Sequence, residues 1–217
     1  MSDQEQSVSR RQWLKYMNLG VLSMIGASMQ KLRDARSAVD HLLLGAADRE
    51  AGIAWLEERT GVKAVIGGSH PSRGTCNALL SFGSRQYLEI LAPDPAQQTL
   101  VPQYEFLRQL KTPRLISWAV SMENAEATVA SLKAAGVETL GPSPGSRRRP
   151  DGKMMTWKSL GVTSDHGLII PFFIEWDRGV IHPSSDSPQG CRLLSVEFSH
   201  PKAADVEGML RRMGIEA

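Results

Sequence analysis

The sequence predicts an α+β fold made of two tandem βαβββ modules with a C-terminal βα appendage, and three observations carry that prediction. Strand-like and helix-like runs alternate from residue 38 onward. The pattern returns with a period of roughly 75–78 residues, which is the mark of internal duplication. Each helical run stops at a glycine, at Gly61, Gly136 and Gly214, as a left-handed C-terminal cap requires. Composition agrees with a folded domain: of 217 residues, 41% are hydrophobic and 22% charged, against a disordered or polytopic membrane chain. Lys plus Arg number 25 and Asp plus Glu 23, so the net charge of +2 gives no field that would draw nucleic acid. Cys76 and Cys191 form no CxxC pair, no zinc-ribbon spacing and no disulfide framework, so the fold rests on packing.

Residues 1–37 differ in kind from the rest. Ser9-Arg10-Arg11-Gln12-Trp13-Leu14-Lys15 precedes a mildly apolar stretch from Tyr16 to Met29 and resembles a twin-arginine export motif with Trp in place of Phe. About fourteen residues are too few to cross roughly 30 Å of hydrocarbon, so no transmembrane span is expected. The expectation is an exported protein of the periplasm or cell envelope. The other reading is a docked amphipathic helix of a cytoplasmic protein, with Trp13, Met17, Val21, Met24 and Ile25 near one stripe.

The first module, 38–95, opens with the strand Val39-Asp40-His41-Leu42-Leu43-Leu44. Asp48 then caps a helix carrying Ile53, Trp55 and Leu56 to Gly61. The second, 112–178, repeats this with the strand Arg114–Val120 and a helix from Glu123 to Ala135. Hairpin-like strands follow each helix: Gly74–Phe82 and Gln86–Leu91, then Met154–Leu160 and Leu168–Trp176. Gly83-Ser84 and Asp165-His166-Gly167 supply the turns, and Pro93, Pro95, Pro102 and Pro113 mark the connector. Residues 191–217 read as a further strand, Arg192–Phe198, with a helix through Val206, Met209 and Leu210. Counted from the terminal glycines, His41, Ser117 and Ser195 are equivalent.

These modules, with Asp40-His41-Leu42-Leu43-Leu44, Gly68-Ser69-His70-Pro71, Tyr87-Leu88-Glu89-Ile90-Leu91-Ala92-Pro93, Arg149-Pro150-Asp151-Gly152 before Trp157, and Pro171-Phe172-Phe173-Ile174-Glu175-Trp176, resemble the glyoxalase-like domain branch of the vicinal oxygen chelate superfamily. The resemblance covers residues 38 to about 190. It implies a curled mixed sheet, a cup, with ligands from the first and fourth strands of each module: the positions of His41, Glu89, Ser117 and Glu175. Ser117 stands where the family's metal centres place a second histidine. His41, Glu89 and Glu175 remain as a three-ligand set for zinc, manganese, nickel or iron.

Strand alternation independently places Tyr87, Glu89 and Leu91 on one face, and Phe173 and Glu175 on one face of a second strand. A carboxylate inside such an apolar run is costly unless paired, protonated or metal-bound. Glu89 and Glu175 are therefore the expected catalytic residues. Ser117, Tyr87, Phe173, Arg149 and Trp157 are the expected substrate-binding residues, with Arg149 closing a basic loop, Arg147-Arg148-Arg149, suited to an anion. His70 reads as a loop-fixing side chain, and His166, His182 and His200 read as solvated. The expected function is a glyoxalase-like enzyme acting on a small oxygenated metabolite; the alternative is a protein that sequesters a small molecule in the same cup.

Overall fold

The computed structural model describes residues 32–83 and 85–216. The export motif and Ser84 lie outside the described residues. The elements in chain order are β1 (Arg33–Asp34), α1 (Ala35–Ala38), β2 (Val39–Gly45), α2 (Arg49–Thr60), β3 (Val65–His70), β4 (Thr75–Gly83) and β5 (Gln86–Pro93). There follow β6 (Arg114–Ser121), α3 (Ala125–Ala134), β7 (Thr139–Arg148), β8 (Met154–Val162), β9 (Phe172–Trp176), α4 (Ala203–Arg212) and β10 (Ile215–Glu216).

β2 to β9 close into one barrel in the order β2-β5-β4-β3-β7-β8-β9-β6. Each module contributes the same set: its first strand lies parallel to its last, β2 on β5 and β6 on β9, and the other two strands run antiparallel beside them. The modules join where β2 meets β6 and where Ser69 of β3 meets Arg148 of β7. The predicted cup is thus fully closed.

Local chemistry sets the helices. Asp48 accepts the Ala51 N–H and Asn124 the Ala127 N–H, so each module's helix has its own side-chain cap. α2 covers Leu44, Ala78, Leu80, Leu88 and Ile90 on the outer wall of the first module. α4 and the end of α3 cover Trp118, Val120, Leu160 and Phe173 on the second. β5 and β9 are therefore packed on two faces, one toward the helices and one toward the interior, and read as largely apolar runs for that reason.

Two elements differ from expectation. Residues 191–200 form no strand. A ladder needs an unpaired edge, and the closed barrel offers none. The segment instead lies along the wall, with Phe198 packed on Trp118 at 5.2 Å between ring centroids. The appendage still supplies α4, and its strand is β10, which pairs in parallel with β1. In the second module Gly167–Ile169 is a short 3-10 turn, and β9 begins at Phe172 because Pro171 has no N–H to give a ladder.

Candidate functional site

The inward-facing side chains meet in a tight cavity of about 30 Å³. β2 contributes His41 and Leu43, β5 Tyr87 and Glu89, β4 Asn77, β3 His70, β7 Arg147, β8 Trp157, and β9 Phe172, Ile174 and Trp176. Two glycines make room. A Cβ on Gly67 would meet Asn77 Oδ1 and Arg147 Nη1, and one on Gly145 would meet the Trp157 indole.

Asp40 and His41 are sequence neighbours on a strand and would normally face opposite ways. The β2–β6 register shifts between Val39 and His41, and this irregularity lets both groups serve one network. His41 Nδ1 lies 2.8 Å from Asp40 Oδ1. Trp176 Nε1 donates to Asp40 Oδ2 at 3.1 Å, and His182 Nε2 lies 3.2 Å from the same oxygen. The Ser184 backbone N–H donates to His182 Nδ1 at 3.2 Å, so the His182 proton is on Nε2 and points at Asp40. The hydrogen bonds from His182 and His41 outweigh the burial that opposes ionisation, and hold the Asp40 carboxyl down at about 2. An ionised Asp40 accepts a hydrogen bond from His41 Nδ1–H and so leaves His41 Nε2 facing Glu89 Oε2, 3.6 Å away.

A second chain of bonds fixes Glu89 from the other side. Arg147 Nη1 donates to Asn77 Oδ1 at 3.3 Å, which sets the amide's orientation. Asn77 Nδ2 then donates to Glu89 Oε1 at 2.7 Å and faces His70 Nε2 at 3.5 Å. His70 Nδ1 is left to donate to Thr75 Oγ1 at 2.9 Å. Burial pushes His70 down to about 4, so it is a neutral imidazole. Burial alone would raise the Glu89 carboxyl, but its surroundings bring it below its ordinary value, and with His70 neutral the Asn77 hydrogen bond and the Arg147 cation remain to hold it there. Glu89 is a buried carboxylate in its basic form. Tyr87 stacks on His41 at 4.6 Å, and burial holds its phenol well above the usual range.

Of the predicted site residues, the structure brings together His41, Glu89, Tyr87 and Trp157. Glu175 is a correction. It shares a face with Phe173, as alternation requires, but that face is the outer one: Phe173 packs in the core under the helices, and Glu175 Oε2 accepts the Ala125 N–H at 2.8 Å at the start of α3. Phe172 and Ile174 take the inner positions. Ser117 lies opposite Leu43 at a second register shift and lines an outer groove, outside the His41–Glu89 cavity. Arg149 is held by Asp186 at 2.6 Å, and it is Arg147, 3% exposed, that enters the barrel. His70 and His182 are buried members of the network, contrary to the loop and solvated readings.

The metal set His41, Glu89 and Glu175 does not converge, because Glu175 is on the far side of the wall. Among the described residues, no three His, Cys, Asp or Glu side chains are placed to hold a metal ion. Asn77 already donates to Glu89, and the Arg147 cation lines the same cavity, where a divalent ion would meet its charge. These residues do not fit a divalent metal.

The paired βαβββ modules closed around this cavity define a protein of the vicinal oxygen chelate superfamily. Residues 39–214 match the glyoxalase-like domain, and the chain belongs to that family. No curated protein matches. Solved structures share the fold. A hypothetical protein from Staphylococcus aureus is 19% identical with a TM-score of 0.51, over 68% of this chain and 62% of that one, so the likeness spans about six tenths of its length. A hypothetical protein from Bacillus halodurans C-125 is 17% identical with a TM-score of 0.50, over 66% and 96%. Methylmalonyl-CoA epimerase from Mycobacterium tuberculosis is 21% identical with a TM-score of 0.46, over 65% and 89%.

Proposed function

We propose that the protein is an enzyme that moves a proton at the carbon beside a carbonyl of a small oxygenated metabolite. One observation carries this reading: a buried, ionised Glu89 stands 3.6 Å from His41 Nε2, while Asp40 fixes the other nitrogen of that ring. Glu89 takes the proton from carbon, and the carbon–hydrogen electron pair passes into the carbonyl, whose oxygen becomes an enolate oxygen. Arg147 supplies the positive charge for that oxygen from the cavity wall. His41 shares the proton with Glu89, and its return to carbon completes the cycle with no net redox change.

Such a reaction exchanges substrate hydrogen with solvent. Incubating the protein in D₂O with 2-oxobutanoate, acetoacetate or methylglyoxal, followed by proton NMR, is expected to show deuterium entering the α-position of at least one of them faster than in buffer. Binding without exchange for any of them would overturn the enzymatic reading and leave a sequestering protein.

A further inference from the structure

Beyond the inner cavity lies a wider groove of about 370 Å³. The two spaces share Leu43, Arg73, Tyr104 and Phe172 in their walls, so they are neighbours across these side chains, which form the neck between them. The inner space gathers the titratable groups His41, His70, Glu89 and Arg147 among aromatic walls, whereas the groove carries none of these and, beside Gln103, Ser117 and Ser159, is walled by Phe106, Ile116, Leu140, Val162, Leu168 and Ile170. Leu140 and Leu168 are more than half exposed at its rim, at 64% and 56%. Large apolar side chains left open beside a polar cavity mark a place where apolar surface is meant to be covered.

Two guanidinium groups add a second observation. Arg147 donates to Asn77 and to the Met155 sulfur, and Arg73, at the neck, to the Tyr104 hydroxyl at 3.3 Å. Among the described residues neither has a carboxylate within ion-pair distance, whereas Arg149, beyond the end of the same strand as Arg147, is held by Asp186. Guanidinium groups whose direct hydrogen-bond partners are neutral keep donors suited to an anionic oxygen brought in by a ligand.

We propose that the site takes an organic anion with a carbonyl at its charged end and an apolar chain or ring at the other. The oxygenated end enters the barrel between Arg73 and Arg147, and the apolar end lies in the groove. The carbonyl rests on the proposed proton transfer; the apolar end rests on the groove alone.

Straight-chain 2-oxo acids of four to ten carbons test this by calorimetry on the full chain. Dissociation constants are expected to fall about two- to fourfold for each added methylene, approaching the value for full burial of a CH₂. Gly161 lines the groove, its backbone is free of positive φ, and a Cβ there meets only Leu140 at 3.4 Å, so Gly161→Phe places a ring in the groove. In that variant the chain-length slope flattens. Leu168→Glu, at an exposed position, lowers it too. Equal affinity along the series, a slope unchanged in both variants, or no binding by any member overturns the groove assignment. Deuterium exchange of the four-carbon acid, run alongside, separates the two ideas: exchange without a chain-length gain overturns only the groove, and a gain without exchange overturns only the base.

Discussion

Asp40→Asn is expected to cost about 2 kcal/mol of stability at neutral pH and to remove a stability loss that the native protein suffers between about pH 4 and pH 2. The folded carboxyl titrates at about 2 against an ordinary value of 3.8. A depressed acid stabilises the fold fully above its unfolded value, and the contribution disappears as pH falls through the folded one. The gap corresponds to roughly 2 kcal/mol at 1.36 kcal/mol per unit. Asparagine keeps the shape but turns one acceptor into a donor, facing the N–H groups of His41, His182 and Trp176. Urea unfolding at pH 7, 4 and 2.5 measures both effects. Equal stability of the two proteins at pH 7, or an unchanged acid limb in the variant, would show that Asp40 does not hold the network.

Arg147→Met is expected to weaken binding of a small 2-oxo acid on the order of 100-fold, the scale of one or two charge-assisted hydrogen bonds. Stability should change little, the relief of the guanidinium's desolvation offsetting the Asn77 Oδ1 acceptor left without its donor. The guanidinium is buried with the Asn77 amide and the Met155 sulfur as neutral partners, so its desolvation opposes folding, and an unbranched apolar side chain of similar length relieves that cost. A purely structural arginine behaves the other way, losing stability while ligand affinity stays. Calorimetry with 2-oxobutanoate and parallel urea unfolding distinguish the two outcomes.

The modular repeat was legible because each helix carries its own cap and terminal glycine, signals that are local in sequence. β3 and β7 were faint, since Gly67, Gly68, Gly141, Pro142, Pro144 and Gly145 break the alternation that strands ordinarily show. Within the site, Tyr87 and Glu89 followed from strand phase, His41 from the family resemblance, and Trp157 from its place after the arginine loop. Glu175 did not. Phe172 to Trp176 is apolar on both faces, one toward the cavity and one toward the helices, so alternation groups the residues without saying which group is inside. Arg147 was hidden for a different reason: it shares its phase with Arg149, and only the end of β7 at Arg148 keeps Arg147 inside and leaves Arg149 outside. Asp40 and His182 were beyond sequence reasoning for another reason: one depends on a register shift in β2, and the other reaches the barrel from a loop 142 positions away.

The two glutamates provide the most direct test of where the function resides. Deuterium exchange into a turned-over carbonyl compound is measured for the native protein, Glu89→Gln and Glu175→Gln in one assay, with unfolding free energies beside it. Glu89→Gln is expected to lower the exchange rate 10²–10⁴-fold, the usual worth of a general base. Glu175→Gln should keep near-native exchange and lose about 0.5–1 kcal/mol of stability, because it removes a negative charge from the start of α3. Near-native exchange in Glu89→Gln, or its loss in a folded Glu175→Gln, would contradict the assignment of the inner cavity as the active site.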